Sequence, residues 1–442
     1  MQPTKKPFTP EAFQEVGRDH LASNFHRVLG DQRGTGKTVQ AILAAEKVGG
    51  PGVVGLVTCP ASVRTSWNYH IKTHFGVEAL KRWDVISYEG ASNTTVRAGL
   101  RANYDVWIGD EIHKCKSIES KRSAAVLGRQ GLARRARHKW PMSGTLTPNH
   151  RPVELYPLLK TMHPAFKDHT FATFTQRYCG AYYDGYSWNV KGASRIDELA
   201  EMLKGFVLRR TLAEVYPGRK EPIVSSVPLE LTAADLAEVN AEEDAIGGRE
   251  VRLSSRFDKY SQLGDTAHLL RLLGEAKVAK VAAFVEDKLE DVDKVVVFAR
   301  HRSVIERLYK IFTLAGFGPT VYVGGMDDRQ KDFAVRAFRD HTSHRVFIGQ
   351  QDASGEGING LQHAASVAVI AEPLWVPGQT EQIIGRLDRM DMMGDLVTAY
   401  VLYAADTLDE IVPQVHGRKE RVGERLWTPA AAAHDFSAFS DL

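Results

Sequence analysis

Long hydrophobic runs are missing from these 442 residues. No stretch approaches the roughly 18 apolar residues that span a bilayer, so no membrane-spanning helix is expected. The opening residues, MQPTKKPFTPEAF, lack the apolar core of a secretory leader. Cysteine is scarce: Cys59, Cys115 and Cys179 lie far apart, with no CxxC pair. A disulfide scaffold and a zinc module are therefore not expected, and three free thiols suit a reducing compartment. An excess of one charge is also missing. Fifty-seven basic against 54 acidic residues leave +3, which neither demands nor excludes a nucleic-acid partner. There is no internal repeat and no low-complexity tract. What remains is ordinary for a globular chain, 43% hydrophobic and 25% charged. The length suits two or three domains, each able to bury a core, in a cytoplasmic or nucleoid-associated protein.

Short apolar runs separated by helical stretches are what is present. Val53–Cys59, Val106–Gly109, Lys294–Ala299, Arg345–Ile348, Val367–Ala371 and Thr398–Tyr403 read as buried strands. This pattern predicts an α/β fold with parallel sheets covered on both faces. The strands fall in two groups, about residues 25–150 and 290–405. Between them Ile196–Leu208 and His268–Leu289 read as helices, and Gly180–Gly192 as a loop. The expected organisation is a first lobe over 1–165, a helical insertion and linker over 166–275, a second lobe over 276–425 and a tail over 426–442.

Two motifs carry chemistry. Gly30-Asp31-Gln32-Arg33-Gly34-Thr35-Gly36-Lys37-Thr38 precedes an expected helix Val39–Val48. A Gly-rich turn feeding a helix aims backbone N–H groups at an anion. Lys37 can then reach β- and γ-phosphates and the Thr38 hydroxyl can hold Mg²⁺. The strict pattern requires Gly at Asp31, so the match fails at one position, and the bland alternative is a Gly-rich helix cap. Some 70 residues on, Tyr104–Gly109 ends in Asp110-Glu111-Ile112-His113. Sites in parallel sheets gather at the carboxyl ends of strands. Asp110 is placed to bind Mg²⁺, directly or through water, and Glu111 to orient and deprotonate an attacking water.

Taken in order with Ser143-Gly144-Thr145, these motifs resemble the first lobe of helicase superfamily two. Thr58-Cys59-Pro60-Ala61-Ser62 followed by Trp67 is similar to its Swi/Snf-type members. Arg151-Pro152-Val153-Glu154-Leu155-Tyr156, Arg177-Tyr178-Cys179 and Leu208-Arg209-Arg210 resemble the annealing-helicase branch. Glu372–Gly378, Gln382–Arg389 and Asp406–Glu410 are similar to the motifs of the family's second lobe. The resemblance covers about residues 10–420. It implies two RecA-like P-loop lobes, ATP and Mg²⁺ as cofactors, and sequence-independent action on duplex or forked DNA by a monomeric, minimal motor. Such a motor would suit a bacterium or a bacterial virus.

The resemblance also implies roles. Gln14 would read adenine, and Asp31, Gly34, Thr35, Gly36, Lys37, Thr38 and Gly357 would line the nucleotide. Lys37, Asp110, Glu111 and the arginine fingers Arg386 and Arg389 would carry the chemistry. His113, Ser143, Thr145 and Gln382 would couple hydrolysis to movement. Ser62, Arg64, Trp67, Arg300, His301, Gly355 and Asn359 would contact DNA. Three departures stand out: Arg33 where the family usually has Met, a loop after Thr145 one residue longer, and Met390-Asp391-Met392-Met393 in place of Ile-Gly-Gln.

Two further features are weighed against bland readings. The basic run Lys121–Lys139 is as compatible with a solvated helix face as with phosphate contacts. Tyr182, Tyr183, Tyr186 and Trp188 could stack on a DNA fork, but packing against the first lobe is the preferred expectation. A translocase that remodels or anneals DNA is expected first. A strand-separating helicase or a weakly catalytic DNA-binding scaffold are the alternatives, and a small-molecule kinase would have no use for Arg386 and Arg389.

Overall fold

The structure, a computed structural model, describes residues 9–247, 266–351, 358–374, 376–389, 391–410, 422–423 and 425–427. The chain divides into two compact units, residues 1–215 with 419–442, and residues 216–418. The first contains strands β1 (Val28–Leu29), β2 (Gly55–Cys59), β3 (Trp83–Ser87), β4 (Tyr104–Asp110), β5 (Ala136–Met142), β6 (Tyr182–Tyr183), β7 (Trp188–Asn189) and β8 (Val207–Leu208). The second contains β9 (Ile223–Leu229), β10 (Val295–Ala299), β11 (Thr320–Tyr322), β12 (Val346–Gln350), β13 (Val367–Ile370) and β14 (Thr398–Ala404).

Each unit is built on a six-stranded sheet, ordered β3-β2-β4-β5-β1-β8 in the first and β11-β12-β10-β13-β14-β9 in the second. The pairings within both are parallel. The strand residues explain why both faces are covered. Along β4, Trp107 enters one apolar core while its neighbours Val106 and Ile108 enter another. Along β10, Val295, Val297 and Ala299 face one core, and Val296 and Phe298 the other. Burying one such side chain is worth about 1.5–3 kcal/mol, so the period-two alternation fixes the register of the central strands. The α/β fold with parallel sheets is therefore as expected.

The expected insertion over 166–275 is not a body of its own. Phe166, Phe174, Tyr178, Ile196, Leu199 and Leu203 are buried in the core of the first unit. β8 pairs with β1 in the first sheet, and β9 pairs with β14 in the second. The described parts of 166–275 are thus divided between the two units, the part up to Val215 in the first and the part from Tyr216 in the second. Of the expected tail, Leu426 is buried against the first unit and Arg425 pairs with Asp197. The stretch after Trp427 lies outside the described residues.

Local departures have simple causes. The expected helix His268–Leu289 is two helices, Thr266–Ala276 and Val278–Asp291, separated at Lys277. Gly180–Gly192 holds the antiparallel pair β6–β7 rather than a plain loop. Its Tyr182, Tyr183, Tyr186 and Trp188 are 47%, 58%, 92% and 59% exposed, so these rings do not pack against the lobe as expected. The basic run 121–139 spreads over helix Lys121–Leu127, a turn at Leu132–Arg135 and β5, so it forms no single helix face. The three thiols are buried and unpaired. Among the described residues no helix is long and apolar enough to cross a membrane.

Candidate nucleotide site

β1, β4 and β5 are neighbours in the first sheet, and the loops leaving their carboxyl ends carry Gly30–Thr38, Asp110-Glu111 and Ser143–Thr145. The phosphate loop ends at helix Lys37–Gly49, with Gly36 as its left-handed N-cap at φ 73°. A side chain there is doubly excluded, since a Cβ on Gly36 would lie 2.5 Å from Gln14 Nε2. Gln14 is buried over the loop and donates from Nε2 to the Thr35 carbonyl at 3.4 Å. Lys37 Nζ donates to the carbonyls of Asp31 (2.8 Å) and Gln32 (3.2 Å), and burial lowers its pKa. Thr38, the second residue of that helix, is half-buried beside it.

Asp31, the residue that breaks the sequence pattern, is fully buried. Its carboxylate pairs with Arg210 at 2.5 Å and accepts from Gln40 Nε2 at 3.3 Å. A carboxylate so occupied anchors the loop from beneath, and only its carbonyl faces Lys37. Arg210 comes from the segment after β8, so the Arg209-Arg210 motif supports the phosphate loop rather than standing apart from it.

Asp110 and Glu111 close β4. Burial and the adjacent charge of Glu111 raise Asp110 above the usual carboxylate range, against a hydrogen bond from Trp67. That bond runs from Trp67 Nε1 to Asp110 Oδ2 at 2.9 Å. Trp67 is only 1% exposed, so it cannot serve as the DNA contact expected of it. Its indole instead orients the metal-binding candidate. Ser62 and Arg64, the other two expectations on this segment, are exposed. For Glu111, burial would raise the pKa, but the Arg33 charge, His113 and Lys37 together hold it well below the usual range. Its backbone is left-handed, φ 52°, a conformation uncommon for a side-chain-bearing residue and frequent at functional turns.

The coupling candidates converge on the same carboxylate. Ser143 Oγ donates to Glu111 Oε2 at 3.0 Å, and His113 Nδ1 lies 2.9 Å from Ser143 Oγ and 3.2 Å from Glu111 Oε2. The Thr145 amide donates to Ser143 Oγ at 3.1 Å. The longer loop after Thr145 is held by Glu154, which accepts from both nitrogens of Asn149, at 2.9 and 2.6 Å. Among the described residues no cluster of three or more acidic, His or Cys side chains forms a metal cage. The donor chemistry nevertheless fits Mg²⁺. Two adjacent carboxylates withdrawn from water need a cation, and Mg²⁺ commonly takes one or two protein oxygens and fills the rest with water and phosphate.

In the second unit, Arg386 and Arg389 follow helix Pro377–Ile384, which carries the buried Gln382. Arg389 donates to Asn359 Oδ1 at 2.8 Å and to the Ile358 carbonyl at 2.9 Å, and Arg386 reaches the same carbonyl at 3.5 Å. The arginine turn is braced by Arg219, which pairs with buried Asp388 and donates to the Arg389 carbonyl at 3.0 Å. Arg300 is exposed after β10. Glu372 shapes that loop, accepting from the backbone of Arg300 (2.7 Å) and His301 (3.0 Å) and pairing with the His301 ring at 2.5 Å. Gly355 and Gly357 lie outside the described residues. Sequence reading missed the supporting roles of Trp67, Arg210, Arg219 and Glu372, whose partners are distant in the chain. For Trp67, Arg210 and Glu372 only their place inside recognised motifs signalled them, and for Arg219 nothing did.

Residues 85–227 match the SNF2-related domain, and residues 276–391 match the helicase conserved C-terminal domain. The DNA annealing helicase and endonuclease ZRANB3 of Mus musculus is 26% identical over 421 residues, covering 89% of this chain and 38% of that protein. The Caenorhabditis elegans homologue of the SWI/SNF-related matrix-associated actin-dependent regulator of chromatin subfamily A-like protein 1 is 26% identical over 415 residues, covering 87% and 57%. The chain thus spans between about two-fifths and three-fifths of the length of these relatives. They are animal proteins, so they lend nothing to the expected bacterial or viral source. The Sulfolobus solfataricus SWI2/SNF2 ATPase core in complex with dsDNA aligns over 97% of this chain and 94% of its own at 17% identity. Its TM-score of 0.41 is too low to transfer geometry. The two domain matches, together with the phosphate loop, the acidic pair and the arginine turn, match a Snf2-type helicase-like ATPase of superfamily two.

Proposed function

We propose that the chain is an ATP-driven DNA translocase, its hydrolysis stimulated by duplex or forked DNA and coupled to remodelling or annealing of that DNA. One observation carries this reading: Lys37, Asp110, Glu111, Ser143 and His113 gather at the carboxyl ends of three adjacent parallel strands, and Glu111, Ser143 and His113 are bonded to one another. The names of the ZRANB3 relatives, which specify DNA annealing, support the choice of DNA.

In this reading the loop amides and Lys37 bind the phosphates, and Gln14 reads adenine. Thr38 and Asp110 would hold Mg²⁺, which supplies charge neutralisation on the β- and γ-phosphates. Glu111 orients the attacking water and takes its proton, and Arg386 and Arg389 contribute positive charge as the γ-phosphoryl group transfers. Ser143, joined to Glu111 and to the backbone of Thr145, links hydrolysis to the loop that follows. Ser62, Arg64, Arg300, His301 and Asn359 are proposed to contact the DNA backbone, together with Gly355.

The test is an ATPase assay with duplex, forked and single-stranded DNA and with RNA, at stated salt. DNA should raise turnover in the wild type, and Glu111→Gln should lower it by about 10²–10⁴-fold, the range for a general base. A wild-type protein that hydrolyses no ATP with any nucleic acid ends this reading.

A second reading, strand separation, is favoured by the exposed β6–β7 aromatics. Rings on a projecting hairpin can stack on unpaired bases, at about 1–3 kcal/mol per base. Displacement of a forked duplex by wild type, lost in Trp188→Ala with DNA-stimulated ATPase retained, would establish it.

A further inference from the structure

Arg33, the residue the family resemblance does not account for, reaches into the centre of this site. Its Nη2 lies 3.1 Å from Glu111 Oε1, with both side chains largely buried, 16% and 20% exposed. Its stem packs against Gly144. A Cβ on Gly144 would meet Arg33 Cγ at 2.9 Å and Lys37 Nζ at 3.5 Å, so one glycine makes room for both cations. Two positive side chains are therefore neighbours at the mouth of a phosphate loop, a like-charge cost that a polyanion relieves. Arg33 Nε is buried and has no hydrogen-bond partner among the described residues. A guanidinium presents five donors in a planar fork suited to phosphate oxygens, and this one has donors to spare.

Building on the ATPase reading, we propose that Arg33 is a γ-phosphate-reading residue supplied by the phosphate loop itself. Without a γ-phosphate it is stored on Glu111. When ATP binds, Arg33 exchanges the carboxylate for γ-phosphate oxygens and releases Glu111 Oε1 towards water. Ser143 and His113 bond the opposite oxygen, Oε2, so Glu111 keeps its place through the exchange. ADP offers no γ-phosphate and leaves the Arg33–Glu111 pair closed. Binding of the correct nucleotide and release of the base become one event, and the price is that ATP must compete with Glu111 for the arginine.

The test is a set of dissociation constants for ADP and for a non-hydrolysable ATP analogue, both with Mg²⁺, by displacement of a fluorescent nucleotide from the full chain. Arg33→Met should weaken the analogue about tenfold and leave ADP within about twofold, since a lost charge-assisted contact is worth roughly a factor of ten. Arg33→Lys should restore part of the loss. Glu111→Gln, which removes the competitor, should tighten the analogue, and it should do so less when Arg33→Met is also present. Equal weakening of ADP and analogue by Arg33→Met would make Arg33 a mere support of the loop and overturn the proposal. Unchanged analogue affinity in Arg33→Met would overturn it too, because the arginine would then stay on Glu111. ATP binding without any stimulation of hydrolysis by DNA would instead sink the translocase reading while these constants still decide the role of Arg33.

Discussion

Among the described residues each unit has a buried ion pair near the carboxyl end of its sheet, Asp31–Arg210 in the first and Lys277–Asp409 in the second, and the two are wired differently. In the first unit Asp31 and Arg210 support the phosphate loop, and Asp31 is itself part of that loop. Just above, the reactive groups are one another's partners: Arg33 with Glu111, Trp67 with Asp110, Ser143 with Glu111. In the second unit Lys277 is 0% exposed and bonds Asp409 (2.5 Å) and the carbonyls of Ala371 (2.8 Å) and Leu402 (3.2 Å). It ties the ends of β13 and β14 together, while Arg386 and Arg389 bond the Ile358–Asn359 segment. Scaffold and candidate reactive groups are thus merged in the first unit, whereas in the second the Lys277–Asp409 pair is separate from the arginine turn, which Arg219 and Asp388 brace. A substitution in the first should disturb binding, catalysis and local stability at once. In the second it should disturb one or the other.

The largest effect that sharpens this contrast is expected from Arg386→Ala. Loss of the proposed arginine finger should lower turnover by about 10³–10⁵-fold. ATP-analogue affinity and thermal midpoint should stay close to wild type, as single-turnover kinetics and a melting curve would show. A large fall in melting temperature would mean that the arginine is scaffold as well, and the contrast would fail. The converse comes from Lys277→Met, which strands Asp409 as a buried charge without its partner. Breaking such a pair costs about 3–5 kcal/mol, visible as earlier unfolding in denaturant. Nucleotide affinity, proposed for the first unit, should be unchanged. A variant as stable as wild type would show that Asp409 finds other partners or stays hydrated.

The part of this arrangement that a linear reading can reach is the part carried by contiguous residues. The strands β2, β4, β10, β12, β13 and β14 announce themselves as apolar β-branched runs. β1 and β8 are two residues long and do not, although they set the sheet edge on which the phosphate loop rests. The site follows the same rule. Lys37, Asp110, Glu111 and Ser143 sit in motifs with a physical reason for each residue type. Partners such as Trp67 for Asp110 and Ser143 for Glu111 come from 43 and 32 positions away in the chain, and no local pattern tells a tryptophan that holds a carboxylate from one that stacks on DNA. Arg33 could be flagged as an oddity from sequence, but only the folded distance to Glu111 gives it a partner. Likewise exposure, not composition, decides whether the aromatics of β6–β7 are core or surface.

Trp67 offers the smallest effect and the clearest discrimination, because two roles for it predict opposite measurements. Trp67→Phe keeps a large ring in the core and removes only the Nε1–H that reaches Asp110 Oδ2. Asp110 is already raised by burial and by Glu111, with the Trp67 hydrogen bond opposing that rise. Without the bond, its ionised form loses support and its carboxylate loses a fixed direction. Partners that orient a metal ligand are worth about 10–100-fold in metal affinity. Since Mg²⁺ here arrives largely held by phosphates, the lower end is expected, near tenfold in the Mg²⁺ concentration for half-maximal ATPase. DNA half-saturation should not move, because a residue 1% exposed offers nothing to a groove. Were Trp67 instead a DNA contact, the two titrations would trade places, with the Mg²⁺ curve fixed and the DNA curve shifted. That outcome would also undo the claim that the first unit's chemistry and scaffold are one network, since the bond from Trp67 to Asp110 is one of its members.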